Sequence, residues 1–217
     1  MNNIEFQRNE LLAKRVIENL KKRNFNAFYC ANKEELIKEL QNLISKEETV
    51  SWGGSMTLEE TGVKAFLENN GYKTINRDKA KSPEEKFELV KQGMFCDVFL
   101  MSANAISEDG ELVNVDGTGN RVAALCYGPK RVIVVAGMNK VVKNLDDAMS
   151  RARNFAAPVN AKRISGIWQN MQTPCNVTGS CADCKSETSI CSQIVTTRLS
   201  FPKGRINVIL VNENLGY

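Results

Sequence analysis

"KRVIVVAG", residues 130–137, places four β-branched side chains in a row, Val132 to Val135, behind two charges and ahead of an alanine and a glycine. No polar residue alternates with them. That pattern predicts a strand covered on both faces, as in a parallel sheet flanked by helices. "CDVFLMS" (96–102) repeats it upstream and "RINVILVN" (205–212) downstream. The intervening segments supply the helices. Leu12, Val16 and Leu20 recur every four residues and predict an amphipathic helix over 5–23. "NAFYCA" (26–31), "ETVSW" (48–52) and "YKTIN" (72–76) read as short strands. Asn32 with Glu35 forms a capping-box pattern before a helix carrying Leu36, Ile37, Leu40, Leu43 and Ile44 on one face. Thr57 with Glu60 forms a second, opening a helix through about Asn69. Ser82-Pro83 starts another, with proline at the first helical position. "NLDDAMSRARNFAAP" (144–158) predicts a helix stopped by Pro158.

Strand and helix therefore alternate, which predicts an α/β fold: an open, mostly parallel sheet with helices on both faces. One stretch departs from the rhythm. "ANAISEDGELVNVDG" (103–117) predicts a hairpin turning at Glu108-Asp109-Gly110, followed by a small helix over Asn120–Cys126.

The chain has 217 residues, enough for one domain over 1–217, with 42% hydrophobic and 25% charged residues. Net charge is +4, from 29 basic and 25 acidic residues spread along the chain. No basic block marks a nucleic-acid partner. No apolar run reaches the ~20 residues of a membrane span, so no membrane insertion is expected. The N-terminal segment lacks a signal peptide's apolar core, and the reading is cytoplasmic, where thiols stay reduced. There is no histidine. Ser-His and Cys-His pairs are thereby excluded, and acid–base chemistry must rest on carboxylates, Lys, Tyr or a cofactor.

Two loops are candidate binding sites. "SWGGSMTLEETG" (51–62) is a strand, a glycine turn and a capped helix, where backbone N–H groups and the hydroxyls of Ser55 and Thr57 would receive an anion beside Gly53 and Gly54. It lacks the Gly-Lys-Ser/Thr of a Walker A loop. "DGELVNVDGTGNR" (109–121) offers Gly117, Thr118 and Gly119, with Asn104, Asn114, Asp116 and Asn120 as hydrogen-bonding groups; Val122 stands where a dinucleotide fingerprint needs its third glycine. Turn-forming residues alone account for either loop equally well. Glu59, Glu60, Glu108 and Asp116 are the carboxylates nearest these loops and the candidate bases or nucleophiles.

Four of the seven cysteines, Cys175, Cys181, Cys184 and Cys191, stand as C-x5-C-x2-C-x6-C within "TPCNVTGSCADCKSETSICSQ" (173–193). The segment reads as a loop-rich insertion before the final strand. Four sulfurs in a polar loop suit an iron–sulfur cluster, with zinc the competing occupant and disulfides or free thiols the remaining readings. Cys30, Cys96 and Cys126 read as core residues.

Taken together, "WGGSMTLEETG", "NAISEDGELVNVDGTGNRVAALCYGPKRVIVVAGMNKVV" and "PCNVTGSCADCKSETSIC" resemble the LUD-domain family, the lactate-utilisation protein C-like proteins and their relatives, in order and over nearly the whole chain. The family's G-S-M-T loop falls on Gly54, Ser55, Met56 and Thr57. Its D-G-x-L-V-N-x-D-G-T-G-N-R block falls on Asp109, Gly110, Leu112, Val113, Asn114, Asp116, Gly117, Thr118, Gly119, Asn120 and Arg121. The resemblance implies a fold like the NagB, ribose-phosphate isomerase and CoA-transferase group. It also implies a small anionic metabolite at the two loops, and a role among iron–sulfur oxidoreductase subunits that oxidise lactate to pyruvate. An isomerase or acyl/CoA transferase with a structural four-cysteine site, and a non-catalytic assembly subunit, are the alternatives; a homodimer is compatible with each.

Overall fold

The computed structural model describes residues 3–168 and 170–217. Its first half is a run of helix–strand units. A helix α1 (Asn3–Lys22) precedes β1 (Asn26–Cys30). Then come α2 (Lys33–Leu43), β2 (Thr49–Trp52), the short helices α3 (Met56–Glu60) and α4 (Val63–Asn69), β3 (Lys73–Ile75), α5 (Pro83–Gly93) and β4 (Val98–Met101). The hairpin β5 (Ala105–Ser107) and β6 (Leu112–Asp116) follows, then α6 (Asn120–Cys126) and β7 (Arg131–Gly137). The remainder comprises β8 (Val141–Val142), α7 (Leu145–Arg151), α8 (Ala157–Ser165), α9 (Pro174–Thr178), β9 (Gln193–Thr197) and β10 (Ile206–Val211).

Six strands form one parallel sheet in the order β1-β10-β7-β4-β2-β3. The apolar runs behave as their sequence requires. Val132, Val134 and Ala136 of β7 face one layer with Ala13, Val16 and Leu20 of α1 and Ala124 and Leu125 of α6. Ile133 and Val135 face the other, with Leu36 and Leu40 of α2, Leu58 of α3 and Val63 and Leu67 of α4. Successive side chains of one strand thus fill two cores, the geometry that a non-alternating apolar strand serves.

The hairpin is the centre of a second, four-stranded sheet, β8-β5-β6-β9. The cysteine segment precedes the last strand, β10, and between them lies β9, which pairs antiparallel with β6. Two expectations are corrected. The cap of α3 is Ser55, which accepts the Leu58 N–H, rather than Thr57, and the predicted single helix is broken at Gly62, whose φ is +68°. Pro158 does not stop its helix. A π-helical turn over Ala152–Ala156 joins α7 to α8, with the Ala157 N–H bonding Ala152 O five residues back. The proline therefore enters at the first turn of α8, where its missing N–H and its ring do least harm.

Candidate functional site

The strand order reverses direction between β2 and β4. From β2 the chain steps outward to β3, whereas from β4 it steps the other way to β7 and then β10. A crevice beyond the carboxyl ends of the strands at such a point is the general ligand position of open α/β sheets. Here a cleft of about 280 Å³ opens there, between the loop after β2, the loop after β4 and the end of β6. A further hollow of about 360 Å³ continues it past Arg77 and Lys86.

Charge sets the cleft's character. Arg77, Lys86, Arg121, Lys140 and Arg163 line it, against one carboxylate side chain, Asp116. Asp116 is largely committed. Its Oδ1 accepts the N–H groups of Thr118 and Gly119, at 3.2 and 3.0 Å, and its Oδ2 lies 3.2 Å from Arg121 Nε. Arg121 is held from three directions: that carboxylate, the Val115 carbonyl at 2.5 Å, and the backbone of Gly53, where a methyl group would fall 2.5 Å from Arg121 Cγ. A glycine is needed at 53 because the arginine stem occupies the space of a side chain. Burial pulls the Arg121 guanidinium below its ordinary pKa, with Asp116 opposing the shift. Arg77 Nε and Asp116 Oδ2 are buried without a hydrogen-bond partner.

Lys140, just past β7, was not singled out by its sequence. It is 3% exposed. Its Nζ bonds Thr57 Oγ1 at 2.9 Å, Ser102 Oγ at 3.0 Å and the Ala103 carbonyl at 3.1 Å. Desolvation, reinforced by the positive charges of Arg151 and Arg121 and only partly countered by Glu60, brings its pKa down to about 7. In the unfolded chain the amine regains its ordinary value near 10.4. Between those values the unfolded state binds more protons, so stability rises with pH. The wild-type chain is therefore expected to gain stability from pH 7 to pH 10 relative to Lys140→Met, as read by urea midpoints of both proteins at each pH.

Of the residues singled out by sequence, Gly54, Ser55, Asn104, Asp116, Gly117, Thr118 and Asn120 line the cleft. Thr57 lies behind it as a Lys140 partner, Gly53 backs Arg121, and Gly119 caps α6 with φ +83°. Asn114 is fully buried in β6 with both amide atoms unpartnered, outside the cleft lining. Glu59 borders the neighbouring hollow and pairs with Lys64 at 2.6 Å. Glu60 accepts the Gly216 N–H at 2.7 Å. Glu108 sits at the hairpin turn, paired with Lys143 at 3.0 Å and Arg15 at 3.4 Å, and does not join the cleft.

Cys175, Cys181, Cys184 and Cys191 together line one small cavity of about 70 Å³, with Arg153 and Asp183 at its wall. Burial and the three neighbouring thiols push Cys191 up to about 11. Among the described residues, no group of three or more Cys, Asp or Glu side chains is arranged to hold a metal ion. Of the three cysteines read as core, Cys30 and Cys96 are buried, whereas Cys126, at the end of α6, is exposed.

No helix among the described residues is long and apolar enough to cross a membrane. No curated protein matches the chain. Among solved structures, the crystal structure of a DUF162 family protein from Deinococcus radiodurans is similar at a TM-score of 0.53 and 10% identity, over 94% of this chain and 98% of that one; at that identity the likeness concerns the fold. The LUD domain pattern matches residues 13–211, a span that takes in both sheets, the cationic cleft and the cysteine segment, and the chain belongs to the LUD domain family.

Proposed function

We propose that the cleft binds a small anionic metabolite of the hydroxy- or oxo-acid class, in the oxidation of lactate to pyruvate, and that the four thiols hold an iron–sulfur cluster beside it. The fold group that goes with this reading is that of NagB, ribose-phosphate isomerase and the CoA transferases. The observation that carries it is the adjacency of the two cavities: Ile190 lines the cleft and Cys191 the thiol cavity. Gly117 lets the wall close up, since a methyl group there would fall 3.1 Å from Ile190 Cα.

The residues suit these roles. Arg77 and Arg121 offer fixed positive charge to a carboxylate in a partly dehydrated cleft, and Lys86 and Arg163, exposed at the rim, would attract it. Burial first, and the neighbouring thiols second, raise the Cys191 pKa, and a cationic centre would offset the mutual repulsion of four thiolates. Arg153 at the wall complements the net negative charge of four thiolates around iron. A cluster bound by Cys175, Cys181, Cys184 and Cys191 supplies one-electron transfer to or from partner oxidoreductase subunits; zinc on the same sulfurs would serve structure alone.

Anaerobic purification followed by iron, sulfide and zinc analysis tests the centre. Iron and sulfide with visible absorption are expected, lost in Cys191→Ala, and one tightly held zinc without iron overturns the redox role. Thermal shift with lactate and pyruvate tests the cleft. Stabilisation by sugar phosphates or CoA esters alone would reassign the substrate.

A further inference from the structure

We infer that Ser102 and Lys140 form a nucleophile–base pair and that the cleft performs acyl transfer on anionic esters or thioesters. This rests on the reading of the cleft as an anion site and is independent of the cysteine centre. Ser102 directly follows β4, and Lys140 lies three residues past β7, the strand beside β4 in the sheet. Both side chains are therefore delivered to the same crevice from neighbouring strand ends. Both line the cleft, and Ser102 is 5% exposed.

The hydrogen-bond inventory around the amine assigns the roles. Ala103 O can only accept. Thr57 donates its hydroxyl proton to the Leu215 carbonyl at 3.3 Å, so towards Lys140 it accepts. A neutral amine has two N–H donors, which these two oxygens take, and one lone pair. Ser102 is the remaining partner: the ammonium donates to its Oγ at 3.0 Å, and once the amine is neutral the hydroxyl can donate back to that lone pair. Its other acceptor, Ala103 O, is farther off at 3.4 Å and already engaged. A nucleophile within 3.2 Å of a base that is itself oriented by further groups is the general signature of an activated hydroxyl, and lysine serves as that base where histidine is absent. No carboxylate bonds the amine. The charged groups that act on it are Arg121, Arg151 and Glu60, and the last is occupied by the Gly216 N–H. Burial first, and the positive charges of Arg151 and Arg121 second, bring the pKa of the amine down to about 7, the range that the role requires.

In the step itself, Ser102 Oγ bonds to the acyl carbon while its proton passes to Lys140 Nζ. The tetrahedral intermediate then breaks its bond to the leaving alkoxide or thiolate, which takes the proton from the Lys140 ammonium. Water releases the acyl group by the same route in reverse, giving a carboxylic acid and free Ser102, with no change of oxidation state. Arg121 and Arg77 hold the anionic end. Thr57 acts as a positioning residue.

The test uses the whole chain with p-nitrophenyl hemisuccinate and its neutral counterpart, p-nitrophenyl acetate, reading nitrophenolate release and the acylated peptide by mass. The expected result is an acyl group on Ser102, formed at least about tenfold faster from the anionic ester. Acylation should rise through pH 7. Lys140→Arg, which keeps the charge but not the base, should slow it by about a hundredfold or more and abolish that pH dependence. Ser102→Ala should remove the adduct while succinate still raises its melting temperature, which also shows that it folds. Acyl groups found only on cysteines or surface amines, or wild-type rates in Ser102→Ala, overturn the inference. Succinate stabilising both proteins without Ser102 acylation sinks this inference alone; stabilisation of neither sinks the anion reading beneath it.

Discussion

Arg121→Met is expected to lower stability by about 3–5 kcal/mol, because it leaves the Asp116 carboxylate buried without its charge partner. Asp116 is 4% exposed, and the arginine Nε is its ion-pair partner, at 3.2 Å. The same substitution removes a hydrogen bond to the Val115 carbonyl and the cation at the centre of the cleft wall. Denaturant titration reads the first effect. Thermal shift with lactate, pyruvate and succinate reads the second, where stabilisation by all three should vanish. The two effects separate in the double variant Arg121→Met, Asp116→Asn. Removing both charges of a buried pair is close to neutral, so most of the stability returns while anion binding does not. Recovery of binding in the double variant would show that Arg121 serves the fold alone.

Gly137→Ala should also be severe, lowering stability by about 3 kcal/mol, at the upper end of overpacking effects. A methyl group at 137 would meet Asn139 Oδ1 and, at 2.5 and 2.8 Å, the Glu213 carbonyl and the Leu215 N–H nitrogen. Two of these are backbone atoms of a segment tied back to Asn139 and Glu60, so neither side can yield cheaply. The displaced chain leads directly to Lys140, so amine chemistry at that position should fall along with stability. Urea unfolding and the acylation rate at pH 8 check the two together. An unaltered unfolding midpoint would mean that the 213–216 segment swings away freely.

The parallel sheet was legible because its strands carry unbroken apolar runs, and α6 was legible because glycine and asparagine mark its start. The second sheet was not, since β9, "QIVTT", has no apolar face of its own and exists through pairing with β6. The cap at Ser55 was misassigned to Thr57 because both hydroxyls stand near the helix start, and only tertiary structure shows Thr57 turned to Lys140 and Leu215. Pro158 looked like a stop because a π turn leaves no periodicity signal. At the site, the glycine loops and Asp116 could be found from composition. Ser102 and Lys140 are single polar residues just beyond apolar strands, and the available signal was position: the first residues past a parallel strand's carboxyl end. Arg121 stood in a quoted motif, but its role depends on Gly53, 68 positions away in the chain and adjacent only in the fold.

The place of β10 has a consequence for how the molecule is made. Residues 26–30 find their sheet partner in residues 206–211, which also separate them from β7. During synthesis the first strand and its helix must wait, unpaired, for some 180 residues of chain to emerge. Nascent chains of this topology expose an open apolar edge for longer than a protein whose sheet grows outward in chain order. Holdase chaperones should therefore engage its early ribosome-bound intermediates, and release should coincide with the arrival of that interior strand.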